Sequence, residues 1–201
     1  IPALRFSAGS IYLNKLIVFG GQDKNWQTHN EIYMFDLLQQ EEQQYKFNKV
    51  ELPVVCNNHN NYFNDKSQDD NQQATQVESQ LDQVSSNCQC VSLRPFARKR
   101  HTCLIAPNYQ LLNDPKQPKN IMGLLVIAGY SEQLDACLND VWHFSFALQE
   151  WRKIKVFGDI PNERKGHTAV LFNKYTAGAS AAPLVYVFGG ENDEIGCMQD
   201  L

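Results

Sequence analysis

The sequence lacks the features that mark several classes of protein. Its apolar runs are strand-sized, whereas a membrane-spanning helix needs about 20 apolar residues. Its net charge is −4 and its pI is near 5.7, so it has no basic signature of nucleic-acid binding. No stretch carries an apolar stripe at the helical period. These absences favour a soluble protein built mainly from β-strands.

Recognisable metal or redox motifs are also missing. The chain has six cysteines and five histidines but no Cys-x-x-Cys pair, and its one close pair, Cys88 and Cys90, lies in a polar stretch. Structural zinc needs four ligands at usable spacing, so we expect no metal and no cofactor. Reduced thiols are typical of the cytosol, and we expect a cytoplasmic protein. No secretory signal or initiator Met stands at Ile1, and we expect a segment of a longer protein.

A short sequence motif recurs three times in the chain. Four or five apolar residues end in a pair of small ones, at 16–21, 124–129 and 185–190. An arginine lies upstream of each copy, and an Asn or Gln opens a new run downstream. The spacing from the small pair to that run is nearly constant, while the other spacings vary. A constant core with variable connections predicts one supersecondary unit used repeatedly.

Each copy of this unit contains several characteristic residues at similar positions. Two copies enter as Arg-x-x-His-Thr, one continues as Asn-Asp-Val-Trp, and an aromatic follows. Those that carry the pattern are Gly20, Gly21, Gly129, Gly189, Gly190, Arg98, His101, Arg164, His167, Trp142 and Trp151. The combination resembles the kelch repeat, and the resemblance covers residues 2–53 and 94–201. Three positions depart from it: counted from Arg5, Ala8 takes the histidine position, while Ala128 replaces a glycine and Phe47 a tryptophan.

The resemblance implies an all-β fold, a β-propeller of kelch type with four-stranded antiparallel blades. We expect blades at 1–53 and 94–160, and a partial blade at 161–201 that is truncated before its third strand is complete. The second strand of each should end at the small pair and be buried on both faces. Because propellers have about 4–8 blades, three do not close a ring. Residues 54–93 are a polar low-complexity insertion between blades, too poor in apolar residues to offset the entropy of ordering.

The repeated residues admit a catalytic and a structural interpretation. His101 and His167 stand beside Arg98 and Arg164 and could be drawn as general bases. Because they recur at equivalent positions, a structural role explains both, and we expect them to hydrogen-bond the backbone where each first strand begins. The aromatic residues of the repeat are expected to pack within the blades. We therefore predict no catalytic residue.

The segments that follow the small pairs differ from copy to copy. We call them the BC loops: 22–29, 130–138 and 191–198. Variable loops on a rigid scaffold commonly carry recognition, and tryptophan is favoured among interface hot spots. The BC loops, with the connections between blades, are expected to form a partner-binding face whose acids steer a basic partner. The candidate residues are Trp26, Lys24, Glu132, Asp135, Glu191, Asp193 and Glu194.

Two classes of function follow. The favoured one is a non-catalytic protein-protein interaction scaffold within a larger protein or assembly, with no role for nucleic acid or membrane. The alternative is part of an enzyme: a kelch-type propeller with an oxidase or sugar-isomerase site in its central channel, or a kelch domain fused to a catalytic domain outside this segment. Fold alone does not decide between them.

Overall fold

The structure is a computed structural model that describes residues 2–38, 47–52, 93–107, 122–172 and 184–200. Within these ranges the chain forms twelve β-strands and no helix, which confirms the all-β prediction for this part of the protein. Accordingly, none of the described residues belongs to a helix that could cross a membrane. Contacts group Ile1–Pro53 with Leu93–Leu201 in one unit. The insertion predicted at 54–93 lies outside the described residues, except for Leu93.

The first two repeats each form a four-stranded antiparallel sheet in which the strands follow chain order. The strands of the first sheet are β1 (Ala8–Tyr12), β2 (Lys15–Phe19), β3 (Ile32–Asp36) and β4 (Asn48–Lys49). Those of the second are β5 (Thr102–Pro107), β6 (Met122–Ser131), β7 (Ala136–Ser145) and β8 (Glu150–Lys153). Sequential antiparallel neighbours need only local connections, which suits a unit that is repeated along the chain.

The third repeat forms two antiparallel pairs within the described residues. In one pair β9 (Thr168–Phe172) lies beside β10 (Leu184–Phe188), and in the other β11 (Glu191–Asn192) lies beside β12 (Gly196–Cys197). The first strands of the three repeats are neighbours, since β1 contacts β5 and β5 contacts β9. The sheets therefore stand side by side in chain order, and in the part of the chain that the structure describes no sheet closes on itself.

The small pair has the same backbone conformation in every repeat. The φ angles are +61°, +52° and +66° at Gly20, Ala128 and Gly189, and each following glycine is near +100°. β2 and β10 end just before the pair, as predicted, but β6 continues past it to Ser131 through a register shift between Ile127 and Gly129. The prediction of a strand end is thus wrong for the second repeat, because a β-bulge absorbs the left-handed turn without ending the ladder.

Backbone pairing corrects the alignment of the first repeat by one residue. Arg5 pairs with Gln22, Lys99 with Tyr130 and Lys165 with Glu191, and the second member of each pair directly follows the two small residues. Arg5 is therefore equivalent to Lys99 and Lys165. The position of Arg98 and Arg164 is filled by Leu4 in the first repeat.

In the first repeat, the residue equivalent to the histidine also shifts by one position. A Cβ placed on Gly21 would lie 2.8 Å from the Cβ of Ser7, as one on Gly129 would lie 2.7 Å from the Cβ of His101. Ser7, and not Ala8, is therefore the equivalent of the histidine. The error arose because counting from an arginine assumes that the arginines match, whereas strand register fixes the true correspondence.

The same backbone hydrogen bonds join each repeat to the next. Gly21 N donates to Arg98 O, and Gly129 N donates to Arg164 O, both at 2.9 Å. The amide of Arg100 donates to Phe6 O at 2.9 Å, and the amide of Gly166 donates to Arg100 O at 2.8 Å. Because equivalent atoms are joined at both junctions, one geometric step relates the first repeat to the second and the second to the third.

The core lies between the first and second sheets. Phe19 is fully buried, and its ring centroid lies 5.1 Å from that of Trp151 and 5.4 Å from that of His101. The other buried members of the cluster are Ile17, Ile32, Cys103, Leu124, Val126, Trp142 and Phe144. β6 is buried along most of its length, as expected for a strand packed on both faces. The same expectation is wrong for β10, whose Phe188 is 55% exposed because no described residue covers that face.

Candidate partner-binding face

A buried arginine anchors the entry to the second repeat. Arg98 has no exposed surface, and its guanidinium donates to both carboxylate oxygens of Asp140, at 2.6 and 3.0 Å. It also donates to Ala128 O at 2.9 Å and to Phe96 O at 3.1 Å. Burial would raise the pKa of Asp140, but the hydrogen bonds and charge of Arg98 outweigh it and hold that pKa below its usual value. The network ties the small pair to β7.

The third repeat reproduces this network. Arg164 donates to the carboxylate of Asp200 at 2.7 and 2.6 Å, to Gly189 O at 3.0 Å and to Asn162 O at 3.0 Å. Sequence reasoning missed both aspartates, although an acid next to the Asn or Gln of each downstream run was a usable signal. The arginines thus hold the fold together, while Trp142 donates its indole N–H to Asp140 at 2.6 Å.

The two histidines are held differently from the prediction. His101 and His167 are both buried, yet among the described residues neither ring forms a hydrogen bond of normal geometry. Burial, helped by the charge of the nearby arginine, lowers the pKa of His101 to about 3 and that of His167 to about 4. The Phe19 backbone partly counters this for His101. These side chains act as neutral packing groups against the glycine pair.

We expect acid to destabilise the fold through these histidines before its carboxylates titrate. A histidine in the unfolded chain gains its proton near pH 6.5, whereas the two buried rings stay neutral to about 3 and about 4. Because their folded pKa values are depressed, their contribution is complete above pH 6.5 and is lost as the pH falls. At about 1.4 kcal/mol for each pKa unit, the loss by pH 4.5 amounts to several kcal/mol.

Urea unfolding at several pH values between 7 and 4.5 measures this loss. The slope of unfolding free energy against pH should become shallower in His101→Gln, which removes one of the buried histidines; His143, whose pKa is also lowered by burial, stays in the variant and contributes to the slope that remains. An unfolding free energy that stays constant over the whole range in the unmodified chain would contradict the assignment.

The acids predicted to steer a basic partner are largely paired within the fold. Lys99 Nζ lies 2.6 Å from a carboxylate oxygen of Glu132, and Arg100 lies 2.7 Å from Glu191. Two further members of the predicted set are engaged as well: Asp193 pairs with Lys165 and Asp135 accepts the Tyr130 hydroxyl. The hydrogen bond to Asp135, followed by burial, raises the pKa of Tyr130 to about 12. Such pairing weakens the acidic field that was expected to attract a basic partner.

Neighbouring BC loops contact one another and so form one face. Gln22 of the first loop donates to Glu132 of the second, and the Cys137 thiol of the second donates to Glu191 O of the third at 3.9 Å. Glu194 is exposed, and its amide donates to Asn192 Oδ1 at 2.9 Å. The loop face is therefore a continuous surface on which most, but not all, of the charged side chains are paired.

The first BC loop differs from the other two. Trp26 is 67% exposed with φ at +66°, and the Arg5 guanidinium carbon lies 3.8 Å from the centre of its ring. Lys24 is exposed beside it. A surface pocket of about 260 Å³ lies here, lined by Ala3, Leu4, Arg5, Gln22, Asp23, Lys24 and Trp26. Trp26 and Lys24 of this pocket were predicted from the sequence as binding residues, whereas Arg5 was not.

Metal-binding groups do not come together in the described ranges. Within 2–38, 47–52, 93–107, 122–172 and 184–200, no group of three or more His, Cys, Asp or Glu residues could hold a metal. Burial raises the pKa of the Cys103 thiol and of the Cys137 thiol, which keeps them protonated and unreactive. The other described cysteine, Cys197, is an exposed free thiol.

Comparison with known proteins adds no relative. No protein-family model matches the chain, and a search of curated proteins finds no significant similarity to it.

Proposed function

We propose that this chain is part of a kelch-type β-propeller that serves as a non-catalytic scaffold for protein partners. Three observations support the propeller: the four-stranded antiparallel sheets, the conserved conformation of the small pair, and the identical hydrogen bonds at the two junctions. Repeated side-by-side sheets with equivalent junctions are the architecture of a propeller. The partners bind to the face formed by the BC loops.

One observation carries the functional part of this proposal: each of the three BC loops follows a small pair of the same conformation and exposes a large apolar side chain. At the same distance after the small pair, the loops carry Trp26, Leu134 and Ile195, which are 67%, 39% and 60% exposed. Each is a large apolar side chain at the tip of a polar loop. Variable loops on a rigid scaffold commonly carry recognition, and tryptophan is enriched among interface hot spots.

Affinity capture with a matched control tests the proposal. Partners would be recovered with the full chain, identified by mass spectrometry, purified and rebound to two variants. We expect the triple variant W26A/L134S/I195S to lose binding. L13S should keep it, because Leu13 is also an exposed apolar residue, at 79%, but lies in the turn between β1 and β2 at the other end of the sheet. Retained binding by the triple variant and lost binding by L13S would place the site on the opposite face.

A further inference from the structure

One repeat position holds an acid in two repeats and a base in the third. The third residue after the small pair is Glu132 in the second repeat and Asp193 in the third, and each acid pairs with the lysine that precedes its sheet, Lys99 or Lys165. In the first repeat the corresponding residues are Lys24 and Arg5. Where the other repeats have an internal ion pair, this one has two cations.

The Arg5 guanidinium is held in place while part of it stays available. Its Nε and Nη2 donate to the side-chain oxygen of Gln22 at 3.1 and 2.9 Å, and its plane lies over Trp26. Gln22 is 1% exposed and is itself fixed by donating to Trp26 O at 2.9 Å and to Glu132. In the described part of the chain, no hydrogen bond uses Nη1 of Arg5 and no acid pairs with Arg5 or Lys24.

The nearest acid of the pocket is committed elsewhere. One carboxylate oxygen of Asp23 accepts the amides of Asn25 and Gln27, at 2.8 and 3.0 Å, and the other lies 3.3 Å from His29 Nε2. Asp23 therefore forms no direct ion pair with Arg5 or Lys24, and its single negative charge balances only one of the two cations. The pocket keeps an uncompensated positive charge beside an exposed aromatic ring.

We infer that this pocket binds a carboxylate side chain of a partner, presented on an acidic peptide segment. The carboxylate takes the place that Glu132 and Asp193 fill in the other repeats, accepts from Arg5 Nη1 and Lys24 Nζ, and brings its neighbouring apolar residue onto Trp26. Charge-assisted bonds to a preoriented guanidinium are among the stronger polar contacts. The inference rests on the proposed scaffold function and names the chemistry of its partner.

A carboxylate fits the pocket better than a phosphate does. In the other two repeats, the lysine that corresponds to Arg5 takes one Glu or Asp carboxylate as its partner, so a single carboxyl group is the charge partner that this place in the repeat normally has. At about 260 Å³, the pocket is below the usual size of small-molecule sites, about 300–1,000 Å³. It suits one side chain of a longer segment.

NMR titration of the folded chain with two blocked tripeptides tests the inference. The probes are acetyl-Gly-Glu-Leu-amide and acetyl-Gly-Gln-Leu-amide, followed through the Arg5 Nε–H and Trp26 indole signals. We expect the Glu peptide to shift both signals in a saturable way and the Gln peptide to bind at least about tenfold more weakly, as for the loss of a charge-assisted bond. Equal affinity for the two peptides, or no shift with either, would overturn it.

Two charge variants sharpen the test. K24E restores the acid that the other repeats carry, so it should pair with Arg5 and lower affinity for the Glu peptide by at least about tenfold. K15E makes the same charge change in exposed Lys15 at the far end of β2 and should bind normally. If K24E binds like the unmodified chain, the inference is wrong. If inorganic phosphate displaces the Glu peptide more effectively than acetate does, the site is a phosphate site and the inference is also wrong.

The outcomes distinguish a failure of the carboxylate site from a failure of the proposed scaffold function. Failure of the Glu peptide, together with loss of partners in W26A/L134S/I195S, would reject the carboxylate and leave the scaffold function standing. Partner binding that survives the triple loop variant would reject the scaffold face itself, whatever the peptides do.

Discussion

Replacing Arg98 with methionine is expected to lower the free energy of unfolding by about 3–5 kcal/mol, the usual cost of removing one partner from a buried ion pair. The methionine fills much of the volume, but Asp140 keeps its charge with most of its surface covered and loses both guanidinium bonds. The carbonyls of Ala128 and Phe96 lose their donors as well. Urea unfolding of R98M against the unmodified chain measures the difference.

Arg5→Met is the matched control, because it makes the same chemical change at the arginine that the sequence pattern aligns with Arg98. Arg5 is exposed and has no acidic partner among the described residues, so its loss should change stability by less than about 1 kcal/mol. Similar losses in R5M and R98M would contradict the corrected register.

Trp151→Ala is expected to cost about 3–5 kcal/mol, the range for truncating a buried aromatic side chain. Trp151 is 5% exposed, and its ring lies 5.1 Å from Phe19 of the first sheet and 5.2 Å from Phe144 of its own sheet. Its removal therefore opens a cavity at the junction of two repeats. Thermal or urea unfolding followed by circular dichroism measures the loss.

Trp26→Ala provides the comparison for that variant. The same truncation at a largely exposed ring should change stability by no more than about 1 kcal/mol. An unchanged unfolding midpoint in W151A, or an equal fall in both variants, would contradict the location of the core between the first and second sheets.

The repeat could be predicted from the sequence because the backbone conformation of each copy requires the same residue types. Glycine at left-handed φ and apolar second strands recur wherever the chain makes the same turn, so the all-β class followed from pattern alone. It also located the loops at which the copies differ, including Trp26 and Lys24.

Register and pairing could not be read in the same way. Arg5 resembles Arg98 in type, but only strand pairing reveals that it is equivalent to Lys99. From the sequence, Glu132 and Asp193 were predicted to belong to an unpaired acidic surface. In the structure each pairs with a lysine that lies far from it in the chain, and such pairs depend on the tertiary fold. Among the described residues, the two histidine rings form no hydrogen bond of normal geometry, although the Phe19 backbone is close enough to act on the pKa of His101.

The stacking of equivalent repeats, on which the loop face depends, is tested most directly by native-state hydrogen exchange. The amides of Arg98 and Arg164 donate to the preceding repeat at 3.1 and 3.0 Å, and those of Arg100 and Gly166 at 2.9 and 2.8 Å. We predict that these four amides are protected as strongly as those of β5 and β6, since each opens only when two repeats separate. Exchange of all four at the rate of the exposed Lys24 amide would contradict the account.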